Sequence, residues 1–157
     1  MINPNELNEY SKKVYYYLKK ESNILIEKIS LHPSDFGKNY LLIELEPKSK
    51  NTSSPLFFSS EDNMLTVGFC NYHCHFDKFS GQFFDEEIKI ALEYFDKILH
   101  ERLLVASAGG ITTLLTKEEI AILENGKVLD YFNYDCKNFY INSWSGKFDK
   151  IIKNPNA

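Results

Sequence analysis

Leu7, Tyr10, Val14, Tyr17 and Leu18 recur at three- and four-residue spacing, which predicts an amphipathic helix over Glu6–Glu21. Lys19 and Lys20 fall at its end, where positive charge complements the helix dipole, and Tyr15 and Tyr16 point away from the stripe. From Asn23 to Ile29 the chain turns aliphatic and β-branched, which predicts a strand, and His32-Pro33-Ser34-Asp35-Phe36-Gly37 carries the residues of a turn. Tyr40–Glu46 alternates, with Leu41, Ile43 and Leu45 on one face and Glu44 and Glu46 on the other: a half-buried strand. The polar stretch Pro47–Pro55 reads as an exposed loop.

Leu56–Ser59 and Met64–Asp77 read as two strands. Asp85–Arg102 is the clearest helix, with Ile88, Leu92, Phe95 and Leu99 as its stripe, widened by Ala91 and Ile98. Its first turn is acidic and its last basic, the order the dipole favours. Leu103–Ala108 fits a buried strand, and Ile111–Leu115 a hairpin partner across Gly109-Gly110. Thr116 and Glu119 match a capping box, yet Ile120 and Ile122 alternate, so residues 116–134 fit helix or hairpin. Asn138–Ser145 is strand-like. Clustered strands around two firm helices predict an α+β fold: a single domain over residues 1–157, with a mainly antiparallel sheet and at least two helices packed on it.

Composition adds limits. The chain has 157 residues, with 18 Lys and Arg against 22 Asp and Glu, a formal charge of −4. That balance disfavours nucleic acid, which needs clustered Lys and Arg; Arg102 is the sole arginine. No apolar run approaches the ~20 residues of a membrane-spanning helix. The polar N-terminus lacks the pattern of a secretory signal, and three cysteines cannot all pair, so a cytoplasmic protein with reduced thiols is expected.

Candidate chemistry concentrates in two segments. Phe69–Asp77 holds two of the four histidines and two of the three cysteines. As a strand it places Asn71, His73, His75 and Asp77 on one face, and Cys70, Tyr72, Cys74 and Phe76 on the other. Leu65, Val67 and Phe69 would continue the histidine face as apolar positions unless a bulge near Cys70 reverses it. The imidazoles then serve as surface or structural groups, as partner contacts, or with Asp77 as zinc ligands or acid–base groups. The second segment, Phe139–Asp149, holds the sole tryptophan, Trp144, as sheet anchor or interface anchor, with Asp149 ordering the turn. Neither segment completes a catalytic motif, and no nucleotide, flavin or haem motif is present; no cofactor is expected.

Leu65-Thr66-Val67-Gly68-Phe69 running into His73-Cys74-His75-Phe76-Asp77, a helix, then Ser143-Trp144-Ser145-Gly146-Lys147-Phe148-Asp149 resembles bacterial immunity proteins of polymorphic-toxin and contact-dependent inhibition systems. The resemblance implies a cytosolic α+β domain that binds and occludes one cognate toxin; the net acidity of the chain suits a basic toxin, and no catalytic residue or metal is expected. Glu44, Glu46, His73, His75, Asp77 and Trp144 are then the candidate contact residues. Two other readings stay open: a small metal-binding or hydrolytic enzyme using His73, His75 and Asp77, and a general protein-interaction domain.

Overall fold

In a computed structural model the chain is described over residues 2–21, 23–35, 37–51, 54–76, 84–132 and 135–157. Its contacts divide it into two compact units, one of Met1–Leu45, Leu56–Gly68 and His73–Phe95, the other of Glu46–Pro55, Phe69–Tyr72 and Asp96–Ala157. The class is α+β, with antiparallel strands throughout, as the sequence predicts. The strands form two sheets rather than one, five-stranded in the order β1-β2-β3-β4-β5 and four-stranded in the order β7-β6-β8-β9. Among the described residues no helix is long and apolar enough to cross a membrane.

The five-stranded sheet consists of β1 (Ile29–His32), β2 (Tyr40–Leu45), β3 (Leu56–Ser59), β4 (Leu65–Phe69) and β5 (Tyr72–Phe76). Leu41, Ile43, Phe58 and Val67 are fully buried on one face, beneath α1 (Glu9–Glu21) and α3 (Phe84–Leu99). The Phe58 and Phe95 rings meet edge to face at 6.4 Å, and Phe76 meets Tyr94 at 5.3 Å. The buried face of α1 is Ser11, Val14, Tyr15 and Leu18, one step round from the predicted stripe. Asn8 caps the helix by accepting from Ser11 N at 2.7 Å, so Leu7 precedes the helix and is buried in a bridge to Asn39.

Asn23–Ile29 is a correction. Residues Asn23–Ile26 form a helical turn, α2, and the strand starts only at Ile29. A short aliphatic run does not distinguish helix from strand by composition alone.

A buried hydroxyl pair ties α1 to the sheet. Ser60 N donates to Leu41 O at 3.0 Å, but the chain leaves the strand there. The Ser60 hydroxyl therefore replaces a backbone carbonyl, accepting from Leu41 N at 3.0 Å and donating to Ser11 Oγ at 2.8 Å. Both serines are fully buried. Ser60→Ala leaves the buried Leu41 N–H without its acceptor and the Ser11 hydroxyl with only Ser60 O at 3.5 Å, and is expected to cost about 1–3 kcal/mol. Ser11→Ala should cost less, because Ser60 Oγ retains Leu41 O at 3.3 Å. Urea unfolding of both variants checks the order, and equal costs would refute it.

The second unit holds β6 (Leu104–Ala108), β7 (Ile111–Leu115), β8 (Asn138–Asn142) and β9 (Lys150–Lys153). Leu104, Ala106, Leu115, Phe139, Ile141 and Ile152 pack with Ile120 and Leu123 of α4 (Lys117–Glu124) and with Phe132 and Cys136. The capping box is present, with Glu119 N donating to Thr116 Oγ1 and Thr116 N to Glu119 Oε2, so the segment after Thr116 is a helix and not a hairpin strand. The hairpin turn Gly109-Gly110 has φ of +56° and +82°, and a Cβ at Gly109 would lie 2.5 Å from Cys136 Sγ. β9 is a four-residue strand too short to read from sequence.

Candidate functional site

The histidine segment is not one strand but a hairpin. β4 ends at Phe69, Cys70 and Asn71 form the turn, and β5 returns from Tyr72. Cys70 adopts φ +54°, the left-handed region that a tight antiparallel reversal requires. The reversal sets Thr66 beside His75, Oγ1 to Nδ1 at 2.9 Å. The expectation that Leu65, Val67 and Phe69 share the histidine face is thereby corrected. Those three are buried on the helix-covered face, while β5 alternates half-buried and exposed with His73 and His75 exposed.

Register carries the histidine side across all five strands, exposed at Glu44, His73 and His75 but buried at Leu42, Ser59 and Gly68. Ser30 pairs Leu42, Leu42 pairs Ser59 and Ser59 pairs Thr66, which touches His75. Glu44 pairs Phe57 and Phe57 pairs Gly68, whose row the period of two continues to His73. His32 pairs Tyr40 at the far end, their rings 5.7 Å apart. Three of the four histidines therefore share one face with Tyr40, Glu44, Phe57 and Thr66.

His73 and His75 lie edge to face with ring centroids 5.1 Å apart. His32 Nε2 is 3.1 Å from Ser30 Oγ. Tyr40 has its phenol raised above the ordinary value, first by burial and then by Glu61, Glu44 and Asp62. These acids make the Tyr40 end of the face negative, and the whole first unit carries 13 Asp and Glu against 8 Lys.

The predicted contact residues divide. Glu44, His73 and His75 meet on this face. Glu46 lies past the end of β2, exposed, in the second unit, and Asp77 lies outside the described residues. Trp144 belongs to the second unit, half-buried in the turn after β8. His32, Tyr40, Phe57 and Thr66 join the face without any local motif, because only strand register brings them together. Among the described residues no group of three or more His, Cys, Asp or Glu is placed to hold a metal ion. No family model, curated protein or solved structure matches the chain.

The Trp144 turn is organised by Asp149. One carboxylate oxygen accepts from Ser143 N at 2.7 Å and Ser143 Oγ at 3.1 Å; the other accepts from Ser49 Oγ at 2.7 Å and Asn51 Nδ2 at 2.9 Å. Lys48 N and Ser49 N both donate to Trp144 O, at 3.0 and 3.1 Å. The Pro47–Pro55 stretch is therefore not a plain exposed loop, since Ser49 is buried against this turn. Gly146, at φ +79°, allows the approach: a Cβ there would sit 2.9 Å from Ser49 Oγ. Lys48 Nζ stands 4.8 Å from the centre of the Trp144 ring.

Burial alone would raise the Asp149 carboxyl, but its hydrogen bonds to Ser143, Asn51 and Ser49 outweigh it and hold the group below the usual value. A depressed carboxyl stabilises the fold fully above about pH 5, and the contribution is lost as pH falls through the folded value. Asp149→Asn is expected to cost about 2–3 kcal/mol at pH 7. The gap from wild type should narrow between pH 5 and 3 in urea unfolding; a gap independent of pH would refute the assignment.

Proposed function

We propose that this protein acts by binding rather than by catalysis, as an immunity protein that engages a basic toxin domain through the exposed and half-buried residues on the histidine side of the five-stranded sheet. The observation that carries the reading is the composition of that face. Imidazoles, Tyr40 and Phe57 supply amphipathic contact area, Glu44 with its neighbours Glu61 and Asp62 supplies negative potential, and the helices pack on the opposite side.

The mechanism is occlusion in the bacterial cytoplasm. Acidic groups around Tyr40 accelerate encounter with the basic partner, and the aromatic and imidazole surface holds the complex once formed. The resemblance over Leu65–Asp149 points to the same class of protein and to a toxin encoded beside it.

The test is to co-express this protein with the C-terminal domain of the product of the gene directly upstream. Rescue of growth and co-purification of a 1:1 complex are expected. Glu44→Lys should slow association about tenfold at low ionic strength and flatten its salt dependence. A toxic domain that kills despite this protein, or a Glu44→Lys variant that binds as wild type does, would overturn the assignment.

A further inference from the structure

We propose that His73 and His75 form a two-imidazole half-site for a divalent transition-metal ion of the zinc and nickel type, oriented by Thr66 and open to ligands from outside the chain. The inference is independent of the toxin reading.

The spacing is the first argument. With zinc–nitrogen bonds of about 2.0–2.1 Å and a tetrahedral angle, two coordinating imidazoles stand with ring centroids about 5 Å apart. His73 and His75 stand at 5.1 Å, with their planes 63° apart. The ring centres thus stand at the separation of a ligating pair, and since both project from the same side of β5, side-chain rotation out of the edge-to-face contact turns their nitrogens to one ion without movement of the backbone.

Orientation is the second. A ligating histidine is normally fixed by a hydrogen bond at its other ring nitrogen, which sets the tautomer and aims the lone pair. Thr66 Oγ1 stands 2.9 Å from His75 Nδ1 and is supplied by the neighbouring strand. Nδ1–H donating to Thr66 leaves the Nε2 lone pair to face the ion. Both histidines are exposed. Imidazole suits zinc and nickel, and the remaining positions fall to water or to a side chain of a bound protein.

Among the described residues, neighbouring groups do not compete for the ion. Cys74 points to the opposite face, with its thiol 3.7 Å from His75 O. Glu44 shares the His73 row but stands three strands away. His32 lies at the other edge of the sheet.

The test is calorimetric titration of chelator-treated full-length protein with ZnCl₂, together with amide spectra recorded at substoichiometric NiCl₂. One site per chain is expected, with paramagnetic broadening confined to Thr66, His73, Cys74, His75 and their sequence neighbours. His73→Ala and His75→Ala should each weaken zinc by at least about tenfold, and Thr66→Val by about tenfold as a positioning residue. Thr66→Val should also alter the His75 ring-nitrogen shifts in the metal-free protein, which a merely structural role would not do. Cys74→Ser and His32→Ala should bind as wild type does, and all variants should keep the wild-type circular dichroism. Zinc binding retained by the His73→Ala/His75→Ala double variant, or no binding by wild type, would overturn the proposal.

Discussion

The reversal at Cys70 and Asn71 is the constraint on which the candidate site depends. A side chain's face in a sheet is fixed by parity, and a two-residue turn resets that parity by pairing antiparallel neighbours. With Thr66 beside His75, each residue of β5 inherits the face of its β4 partner. Leu65 and Val67 go to the core, and the histidines go outward. Had the strand run straight, the imidazoles would have continued the apolar row. The left-handed Cys70 that permits the reversal costs on the order of 1–3 kcal/mol in a non-glycine residue. Core burial of Leu65, Val67 and Phe69 offsets it many times over.

A different device organises the second unit. Asp149 gathers four donors from two separate stretches, Ser49–Asn51 and Ser143, around one carboxylate. An ionised acceptor is the natural hub for such a turn, because charged hydrogen bonds are stronger than neutral ones and one group has lone pairs for several donors. Gly146 is the steric condition for that hub and Lys48 over Trp144 its lid. The Trp144 indole Nε1 is buried without a hydrogen-bond partner among the described residues. A tryptophan that accepts this penalty is held by packing and by the carbonyl bonds from Lys48 and Ser49, which makes it an anchor for the turn before anything else.

Elements with strong local signals were legible in the sequence. The acidic start and basic end of α3, its wide stripe, the paired glycines between β6 and β7 and the capping box of α4 each carry a mechanism within a few residues. Features set by distant partners were not. Asn23–Ile26 is helical although its composition suits a strand, and Ser49 is buried because Asp149 lies a hundred residues on. The site shows the same division. His73 and His75 draw attention by proximity, and Glu44 by alternation. Yet their union with His32, Tyr40 and Phe57 is a product of four strand registers, which no local pattern encodes. Glu46 fell away because β2 ends one residue earlier than the alternation suggested.

The exposure of these groups favours the proposed binding role over acid–base chemistry between Glu44 and the histidines. Acid–base chemistry gains most of its rate from fixed dipoles in a site that excludes water. His73, His75 and Glu44 are all exposed, and Glu44 is separated from His73 by two intervening strands. Groups so spread and solvated neither share a proton nor converge on one reacting atom. The same openness is an asset for association, where a flat surface of amphipathic side chains buries area without rearrangement. It suits a half-filled metal site equally, since an ion held by two imidazoles has positions left for a ligand that a docked protein would bring. Both proposals therefore rest on one arrangement: a sheet whose helices cover one side and leave the histidines on the other.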